Sequence, residues 1–266
     1  MTPALQFHHL DADLLVVNKP AGLLAVPGRG EDKQDCLSAR VQRIYPNALV
    51  VHRLDMATSG LMLMARNPLA QRVLSLAFAE RRVHKRYVAV VHGLMTLPLN
   101  TLADADGWRL IDLPIAVDWP NRPLRVINHD AGKPSQTRWR MDYQDAPSQT
   151  TRLQLEPLTG RSHQLRVHLQ ALGHPIVGDA LYGPLPDPSL RAQRGNPSPS
   201  TADMDCRAAL AMTEGLDCRA ALAMTQNAAL AMTAGFESRL RLHASALAFD
   251  HPVTGEALAF DSLVPF

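Results

Sequence analysis

The strongest constraint on the fold of this chain is a short polar segment that runs directly into an apolar one. Residues 52–61 read His-Arg-Leu-Asp-Met-Ala-Thr-Ser-Gly-Leu, and residues 61–65 are all apolar. Such a run is typical of a buried strand, and the Thr-Ser-Gly before it predicts a tight turn. Asp55 is therefore expected at the edge of a hydrophobic core, where a partly buried carboxylate needs a cation. An aspartate in a turn is usually a turn former or a helix cap, so the residues alone favour a structural role over a catalytic one.

Strand and helix patterns are mixed along the chain without regular alternation. Residues 13–18 and 87–91 are largely apolar runs typical of buried strands, and residues 137–143 alternate between apolar and polar side chains, as on a half-buried strand. Residues 240–249 and 257–260 predict a closing hairpin. The absence of regular strand–helix–strand units argues against a doubly wound fold. The pattern predicts an α+β fold with a mixed, largely antiparallel sheet.

Three helices are predicted between these strands. Asp35 is the expected cap of the first, whose apolar residues repeat at helical spacing before Pro46 ends it. Asn67, followed by a proline, is a typical start of the second, because a capping side chain precedes proline at the first helical position. The third covers residues 162–172 and closes at Gly173.

Residues 184–238 differ in composition from the rest of the chain. A nonapeptide at residues 205–213 recurs identically further on, after a stretch rich in Pro, Ser and Asn. The repeats are shorter than those of solenoid proteins, so we predict a disordered or loosely helical surface insertion. The expected organisation is thus an N-terminal tail (1–12), one domain formed by two segments (13–183 and 239–266) and the insertion (184–238).

Composition and charge do not select a partner. The chain has 27 basic and 25 acidic residues, and the resulting net charge of +2 neither requires nor excludes nucleic-acid binding. Its 3 cysteines suggest no disulfide framework, which favours a reducing compartment. The first residues lack the pattern of a signal peptide, and no apolar run is long enough to span a membrane. A cytoplasmic protein is therefore expected.

Two basic segments are candidates for chemistry, and each has a structural alternative. Residues 159–169 carry two arginines and two histidines; they form either a solvated basic helix face or the site of an arginine that keeps Asp55 ionised. Residues 81–87 end in a tyrosine after several cationic side chains; they form either a solvated helix end or a phosphate-contacting patch. His163 and His168 do not have the spacing of the helical zinc motif, so no metal is expected.

Taken in order, these motifs resemble those of the RluA-type pseudouridine synthases, which isomerise uridine within RNA. The resemblance covers nearly all of the chain from residue 13 onward, apart from the insertion. It implies the pseudouridine synthase fold, with helices flanking the sheet and a central catalytic cleft. The matching segments are residues 17–23, 52–61, 85–87, 160–169, 173–179, 181–183, 242–244 and 251–256.

Residues 26–29 and 118–123 resemble the RluA subgroup itself. That subgroup modifies a uridine in tRNA anticodon stem-loops, at position 32, and one in a 23S rRNA hairpin, at position 746. The resemblance therefore implies tRNA, 23S rRNA or both as partners, and no cofactor, because the reaction is an isomerisation. The motifs begin so early that we expect no S4 RNA-binding domain. A monomer is the default expectation.

The resemblance also implies roles for individual residues. Asp55 is the implied nucleophile, which either attacks the sugar covalently or assists glycosidic cleavage. Arg166 is expected to hold Asp55 ionised, and Tyr87 to stack on the uracil and to accept the C5 proton. Arg53 is expected to fill the gap left by a flipped base, and Leu165 to form an apolar wall. Further substrate contacts are expected from His52, Arg161, Lys85 and Arg86.

Four alternatives remain beside this assignment. A non-catalytic RNA-binding module would not need Asp55, and a hydrolase would use Asp55 with water and release free base. A metal-dependent nuclease would need clustered carboxylates, whereas Asp55 has no acidic neighbour within ten residues. A synthase of the same type could instead modify a different rRNA uridine.

Overall fold

Strands make up most of the regular structure, and a computed structural model describes residues 5–96, 103–183 and 239–266. No helix in these ranges has the length and apolarity needed to cross a bilayer. The helices are α1 (Leu37–Gln42), α2 (Pro68–Ala79) and α3 (Gln164–Ala171), with a short 3-10 helix at Glu31–Lys33. The strands are β1 (Gln6–Leu10), β2 (Leu14–Lys19), β3 (Leu49–Val50), β4 (Ser59–Ala65), β5 (His84–His92), β6 (Arg109–Asp112), β7 (Ile115–Val117), β8 (Arg125–Ile127), β9 (Gln136–Asp145), β10 (Thr150–Pro157), β11 (Leu242–Asp250) and β12 (Ala257–Asp261).

One mixed sheet organises the described part of the chain. Its strands follow the order β1-β2-β4-β11-β5-β10-β9-β6, with β3 paired to β4 and β12 paired to β11, while β7 and β8 form a separate pair. Every pairing in the large sheet is antiparallel except that of β4 with β11. The predicted α+β fold with a mixed, largely antiparallel sheet is therefore confirmed.

Strand β4 is buried along its whole length. Because successive side chains of a strand point to opposite faces, Leu61 and Leu63 pack with α2, whereas Met62 and Met64 pack with α1. A strand covered on both faces has no polar face, which explains the unbroken apolar run in the sequence. The chain enters this strand directly from the segment that carries Asp55.

The other half of the sheet is covered by α3. Trp139, Leu153 and Leu155 project from β9 and β10 and share one apolar core with Leu165 and Leu169 of the helix. Thr137 and Trp139 are buried and their neighbours are half-buried, as the alternating pattern predicts, but Met141 is only half-buried and Tyr143 is exposed. The helix is thus fixed rigidly on the sheet beside the end of β10.

The predicted domain boundaries need one correction. Residues 1–12 are not simply a tail, because Gln6–Leu10 form β1 and pair antiparallel with β2. Strand β1 lies at the edge of the sheet and has a backbone partner on one side only. Because its side chains are mostly half-buried, its sequence contains no apolar run from which the strand could be predicted. The predicted insertion, residues 184–238, lies outside the described residues.

The helix caps agree with the sequence in one case and differ in the other. Asn67 caps α2 as predicted. Helix α1 is capped by Cys36, whose Sγ accepts a hydrogen bond from the Ala39 N–H. Asp35, the predicted cap, instead accepts two hydrogen bonds from the Arg40 guanidinium. A long cationic side chain one turn away competes for the carboxylate, and sequence spacing alone does not weigh that competition.

The first testable prediction concerns Gly60, which has a φ of +116°. A Cβ at this position would lie 2.3 Å from the carbonyl oxygen of Ala244. We expect Gly60→Ala to lower the free energy of unfolding by roughly 3 kcal/mol or more, because backbone strain and a backbone clash combine. Urea-induced unfolding measures this change.

Gly107→Ala is the matched control. Gly107 also has a positive φ, of +79°, but an added Cβ would meet no heavy atom within 4 Å. Only the conformational cost of about 1–2 kcal/mol is expected there. Equal losses for the two variants would contradict a tight contact between β4 and β11.

Candidate active site

A cleft of about 550 Å³ opens between the segment at residues 52–58 and the segment that leads into α3. Strand ends in the middle of the sheet supply its walls: the entry to β4 on one side, and the start of β5 and the end of β10 on the other. Most of the predicted site residues line it together. These are His52, Arg53, Asp55, Lys85, Tyr87, Arg161, Leu165 and Arg166.

The segment that carries Asp55 is held by the buried side chain of Lys19. The Lys19 ammonium is fully buried and donates hydrogen bonds to the carbonyl oxygens of Pro20 at 2.9 Å, Leu23 at 2.8 Å and Met56 at 3.0 Å. Burial lowers the pKa of Lys19 to about 8, against the opposing attraction of Asp55. Lys19 therefore ties the main chain directly after Asp55, at Met56, to the segment that follows β2, at Pro20 and Leu23.

His52 anchors the other side of the same segment. Its Nε2 accepts a hydrogen bond of 3.0 Å from the Leu63 N–H of β4, and its ring stacks on Phe78 with 4.4 Å between centroids. Burial, together with the nearby Lys85 charge, lowers the pKa of His52 to about 3. The imidazole is therefore neutral and one of its nitrogens is already occupied, which suits an anchor better than the predicted substrate contact.

The exit of the segment is tied to the C-terminal strands by a second histidine. His243 of β11 lies between the hydroxyls of Ser59, at 2.9 Å from its Nδ1, and Ser262, at 3.1 Å from its Nε2. Burial lowers the pKa of His243 to about 4. A neutral imidazole can donate from one nitrogen and accept at the other, so this bridge needs no charge.

Asp55 itself projects into the cleft with 26% of its side chain exposed. Its Oδ1 lies 4.0 Å from the Nε2 of His163. Arg53 precedes it with an exposed side chain, and Leu165 closes the apolar side of the cleft. The carboxylate is thus accessible to a ligand and set among cationic and apolar groups.

The predicted direct pairing of Arg166 with Asp55 is not the one found. Arg166 forms a buried two-pronged ion pair with Asp179, from Nε to Oδ2 at 2.7 Å and from the terminal nitrogen to Oδ1 at 2.5 Å. The Asp179 Oδ1 also accepts hydrogen bonds from the N–H groups of Leu181 and Tyr182. This geometry matches a planar guanidinium better than a single distant contact does, so Asp179 takes the arginine.

Charges in this pair still act on Asp55. Burial alone would raise the pKa of Asp179, but the hydrogen bonds from Arg166 hold it below its ordinary value. The pKa of Arg166 is raised, despite burial, by Asp179 first and then by the negative charge of Asp55. Arg166 therefore attracts the Asp55 carboxylate through space while its hydrogen bonds go elsewhere.

Tyr87 is half-buried on β5 and lines the cleft near Asp55. Burial, reinforced by the Asp55 charge, raises the pKa of Tyr87 well above its ordinary value. Its phenol therefore carries its proton at neutral pH. This state favours ring stacking and hydrogen-bond donation over the predicted acceptance of a proton.

Arg86 does not join the site, contrary to the prediction. Lys85 and Tyr87 line the cleft, whereas Arg86 pairs with Glu156 at 3.1 Å and contributes to a neighbouring groove. The sequence analysis treated residues 81–87 as one phosphate-contacting patch. Consecutive side chains of a strand point to opposite faces, so Arg86 lies on the other side of β5 from Lys85 and Tyr87. Arg161 is exposed at the rim of the cleft, and its backbone N–H donates a hydrogen bond of 3.0 Å to the Gln164 side chain.

Sequence reasoning assigned no catalytic role to Lys19, His163, Asp179 or Tyr182. Lys19 and His163 lie in the matching segments 17–23 and 160–169, but His163 was considered individually only as a metal ligand and Lys19 was given no role of its own. Asp179 and Tyr182 belong to matching motifs, but their partners become visible only when residues 160–183 fold back on the sheet.

One group of possible metal ligands exists among the described residues. Side-chain atoms of Asp11, Asp13 and His251 lie within 4.8 Å of one another. These atoms already have partners: the Asp11 carboxylate bonds to His9 at 2.6 Å, and Asp13 accepts a hydrogen bond from Asn67 at 2.7 Å. None of the three cluster residues lines the cleft that contains Asp55.

Comparisons with known proteins agree with this arrangement. The family model described as RNA pseudouridylate synthase matches residues 13–171. A relative from Escherichia coli K12, named dual-specificity RNA pseudouridine synthase RluA, is 47% identical over 190 residues, which is 71% of this chain and 81% of the relative. A relative of the same name from Salmonella typhi is 48% identical over 180 residues, 68% of this chain and 78% of the relative.

A solved structure gives the same result. Human RNA pseudouridylate synthase domain containing 1 superposes with a TM-score of 0.63 at 27% identity, and the match covers 100% of this chain and 87% of that one. The chain therefore shares its fold with a human protein of this domain type as well as its sequence with bacterial relatives.

The second prediction follows from the neutral histidines His52 and His243, whose pKa values are lowered to about 3 and about 4. In the unfolded chain both titrate near pH 6.5. Below that pH the unfolded state binds more protons, so stability falls as the pH drops toward the folded-state pKa values. Each histidine should remove about 2 kcal/mol of unfolding free energy between pH 7 and pH 5.

Urea unfolding at the two pH values measures this loss. His243→Gln should reduce the pH-dependent loss by about 2 kcal/mol, whereas replacing the exposed His129 with glutamine should leave it unchanged. The same pH dependence in all three proteins would contradict a buried, neutral His243.

Proposed function

This chain belongs to the RNA pseudouridylate synthase family, and from that premise we propose that Asp55 is its catalytic nucleophile and that Tyr87, Arg166 and Arg53 assist it. The chain is an RNA pseudouridine synthase, an isomerase of the RluA type, and RNA is its substrate. The observation that carries the assignment of the site is the position of Asp55 in a cleft lined by basic side chains and by Tyr87.

The reaction moves one bond and needs no net exchange of atoms. The C1′–N1 bond of a uridine breaks, the uracil turns within the pocket, and a C1′–C5 bond forms. The proton on C5 is then released, and N1 gains one. A carboxylate beside the ribose suits the first step, because it can attack the sugar or assist departure of the base.

The surroundings of Asp55 support this role. Arg166 is held by Asp179 and presents a fixed positive charge close to the cleft, and the negative charge of Asp55 helps to raise the pKa of Arg166. Lys19 and His52 fix the main chain on both sides of Asp55. A nucleophile supported by such contacts keeps its geometry when the substrate binds.

Tyr87 and Leu165 provide the apolar surfaces that a base needs. Uracil can stack on an aromatic ring, with a typical gain of about 1–3 kcal/mol per base. Since the raised pKa of Tyr87 keeps its hydroxyl protonated, we assign it stacking and hydrogen-bond donation. Leu165 of α3 also lines the cleft, and it is buried in the apolar core against which Tyr87 packs.

A base within folded RNA must leave its stack to enter this cleft. Arg53 lies next to Asp55 in sequence and its exposed side chain lines the opening. We assign it the space left by the flipped base. We assign the contacts with RNA phosphates to basic side chains that line the cleft and are not buried, namely Arg53, Arg81, Lys85 and Arg161.

We assign two RNA targets, a tRNA anticodon stem-loop and a 23S rRNA hairpin, and a monomeric enzyme. The support for two targets is the 47–50% identity to several relatives named dual-specificity RNA pseudouridine synthases, and the monomer is the default expectation from the sequence. Both targets present a uridine in a loop, where unpairing is least costly.

The third prediction tests the nucleophile and the targets together. Each RNA is labelled with tritium at uridine C5, and tritium release is measured with the full-length chain. Wild type should release tritium from both RNAs, and Asp55→Asn should release none while still binding RNA. Asp106→Asn, in an exposed loop outside the cleft, is the matched control and should retain full activity.

Each other result of that assay has a definite meaning. Release of free uracil would indicate a hydrolase, and full activity of Asp55→Asn would refute its role as nucleophile. Release from a third RNA alone would replace the two targets but keep the reaction.

The fourth prediction concerns Arg53. Because a phosphate-contacting cation releases a counterion on binding, Arg53→Ala should weaken RNA affinity and reduce the slope of log affinity against log salt concentration by about 0.7–1. The measurement is RNA binding by fluorescence anisotropy over a salt series.

Arg140→Ala is the control for Arg53. Arg140 does not line the cleft. It lies on the face of β9 opposite to Trp139, donates a hydrogen bond of 2.9 Å to the Gln154 side chain and is placed over the ring of Trp108. Its replacement should leave the salt slope unchanged. Identical slopes for wild type and Arg53→Ala would refute a phosphate contact of Arg53.

A further inference from the structure

His163 stands at the end of a hydrogen-bonded chain that determines which of its nitrogens carries a proton. The Tyr182 hydroxyl oxygen accepts a hydrogen bond of 2.8 Å from the Arg125 N–H and lies 2.8 Å from the His163 Nδ1. A phenol has one proton to donate. The Tyr182 oxygen already accepts from Arg125, and among the described residues Nδ1 of His163 is the acceptor within hydrogen-bond distance of this hydroxyl, so we assign the phenol proton to the bond with Nδ1. The proton of a neutral His163 is therefore on Nε2, the nitrogen that faces Asp55.

The Nε2–H of His163 lies 4.0 Å from the Asp55 Oδ1. Only 15% of the His163 side chain is exposed, so the group has little water to bond instead. Hydrogen bonds between reacting groups are often long in unliganded sites and shorten when the substrate binds. A small movement of the carboxylate would bring the two groups into contact.

The backbone of His163 is strained in a way that helix formation does not explain. Its φ of 57° and ψ of 17° lie in the left-handed region, and its side chain makes no capping hydrogen bond to α3. Glycine or asparagine adopts this conformation more easily than histidine does. Strained residues persist where the surrounding structure holds them, and they concentrate at functional sites.

We propose that His163 is a positioning residue for the isomerase reaction: locked by Tyr182, it donates from Nε2 to Oδ1 of Asp55 and leaves Oδ2 directed at the ribose. The proposal rests on the assigned role of Asp55 as nucleophile. No proton is transferred in this step. His163 acts by orienting one lone pair of the carboxylate, as the supporting groups of other activated nucleophiles do.

The charges around His163 support its neutral form. Burial lowers the pKa of His163, and it outweighs the attraction of Asp55. The guanidiniums of Arg166 and Arg125 lower it further, and Asp179 opposes them weakly. The Tyr182 hydroxyl, by donating to Nδ1, also favours the neutral ring.

Three variants separate positioning from folding. His163→Gly removes the ring and relieves the backbone strain, whereas His163→Gln supplies a different side-chain N–H donor. Tyr182→Phe keeps the ring that contacts His163 edge-on, with 5.5 Å between centroids, but removes the hydroxyl. The measurements are the single-turnover rate at saturating RNA, the RNA affinity and the melting temperature.

We expect His163→Gly to lower the rate by roughly tenfold to a hundredfold, with RNA affinity within about twofold and no loss of melting temperature. His163→Gln should recover part of the rate, and Tyr182→Phe should lower it. His168→Asn is the control on the same helix: His168 bonds to Thr137 and Leu113 away from the cleft. That variant should lose melting temperature and keep its rate.

The rate–pH profile gives a second readout. Tyr182→Phe loses the donor that favours the neutral ring, so His163 should become protonated at a higher pH than in wild type. An imidazolium withdraws electron density from the Asp55 carboxylate. The rate of this variant should therefore fall earlier than that of wild type as the pH drops from about 7 to 5.

A normal rate and pH profile in both His163→Gly and Tyr182→Phe would overturn the proposal. So would a fall in rate that is matched by an equal fall in RNA affinity. An inactive Asp55→Asn together with normal His163 variants would refute only this inference, whereas an active Asp55→Asn would refute the nucleophile itself.

Discussion

The close contact between Gly60 and the backbone of Ala244 joins the two halves of this molecule. Strand β11, from the C-terminal part of the chain, lies between β4 and β5, and it meets β4 through only two residue pairs, at Ser59 and Gly60. A side chain at residue 60 would force the strands apart. The segment that carries Asp55 ends at this contact, so the junction that completes the sheet also places the nucleophile at the seam between its halves.

Around that seam, the buried charges of Lys19 and Arg166 each make more than one hydrogen bond. Lys19 bonds to three carbonyl oxygens, and Arg166 shares two hydrogen bonds with Asp179. Burying a charge is unfavourable unless such partners replace water. Because Asp179 satisfies the guanidinium, Asp55 keeps its oxygens available for the substrate while it still feels the positive charge. In the Arg166–Asp179 pair, Asp179 thus supplies the structural support for the guanidinium, and Asp55 remains available for the chemistry.

The composition of the site was largely predictable, and its internal pairing was not. Asp55, Tyr87, Leu165 and Arg166 lie together as the resemblance implied, because each belongs to a motif next to a strong strand or helix pattern. The partner of Arg166 was wrongly predicted, since Asp179 follows thirteen residues later, after the turn that ends α3. Motif spacing does not indicate which of two carboxylates will meet a guanidinium in the better geometry.

By itself the sequence determined the class of fold, the apolar strand β4, the α2 cap at Asn67 and the family, because local periodicity and short motifs record which faces are buried. Only the tertiary structure decided on which face of the sheet individual side chains lie and which residues they contact. It turned Arg86 away from the cleft, made β1 a strand of the sheet and brought Tyr182 to His163. These outcomes depend on contacts between residues distant in sequence, whose energies are settled by geometry and desolvation when the sheet closes.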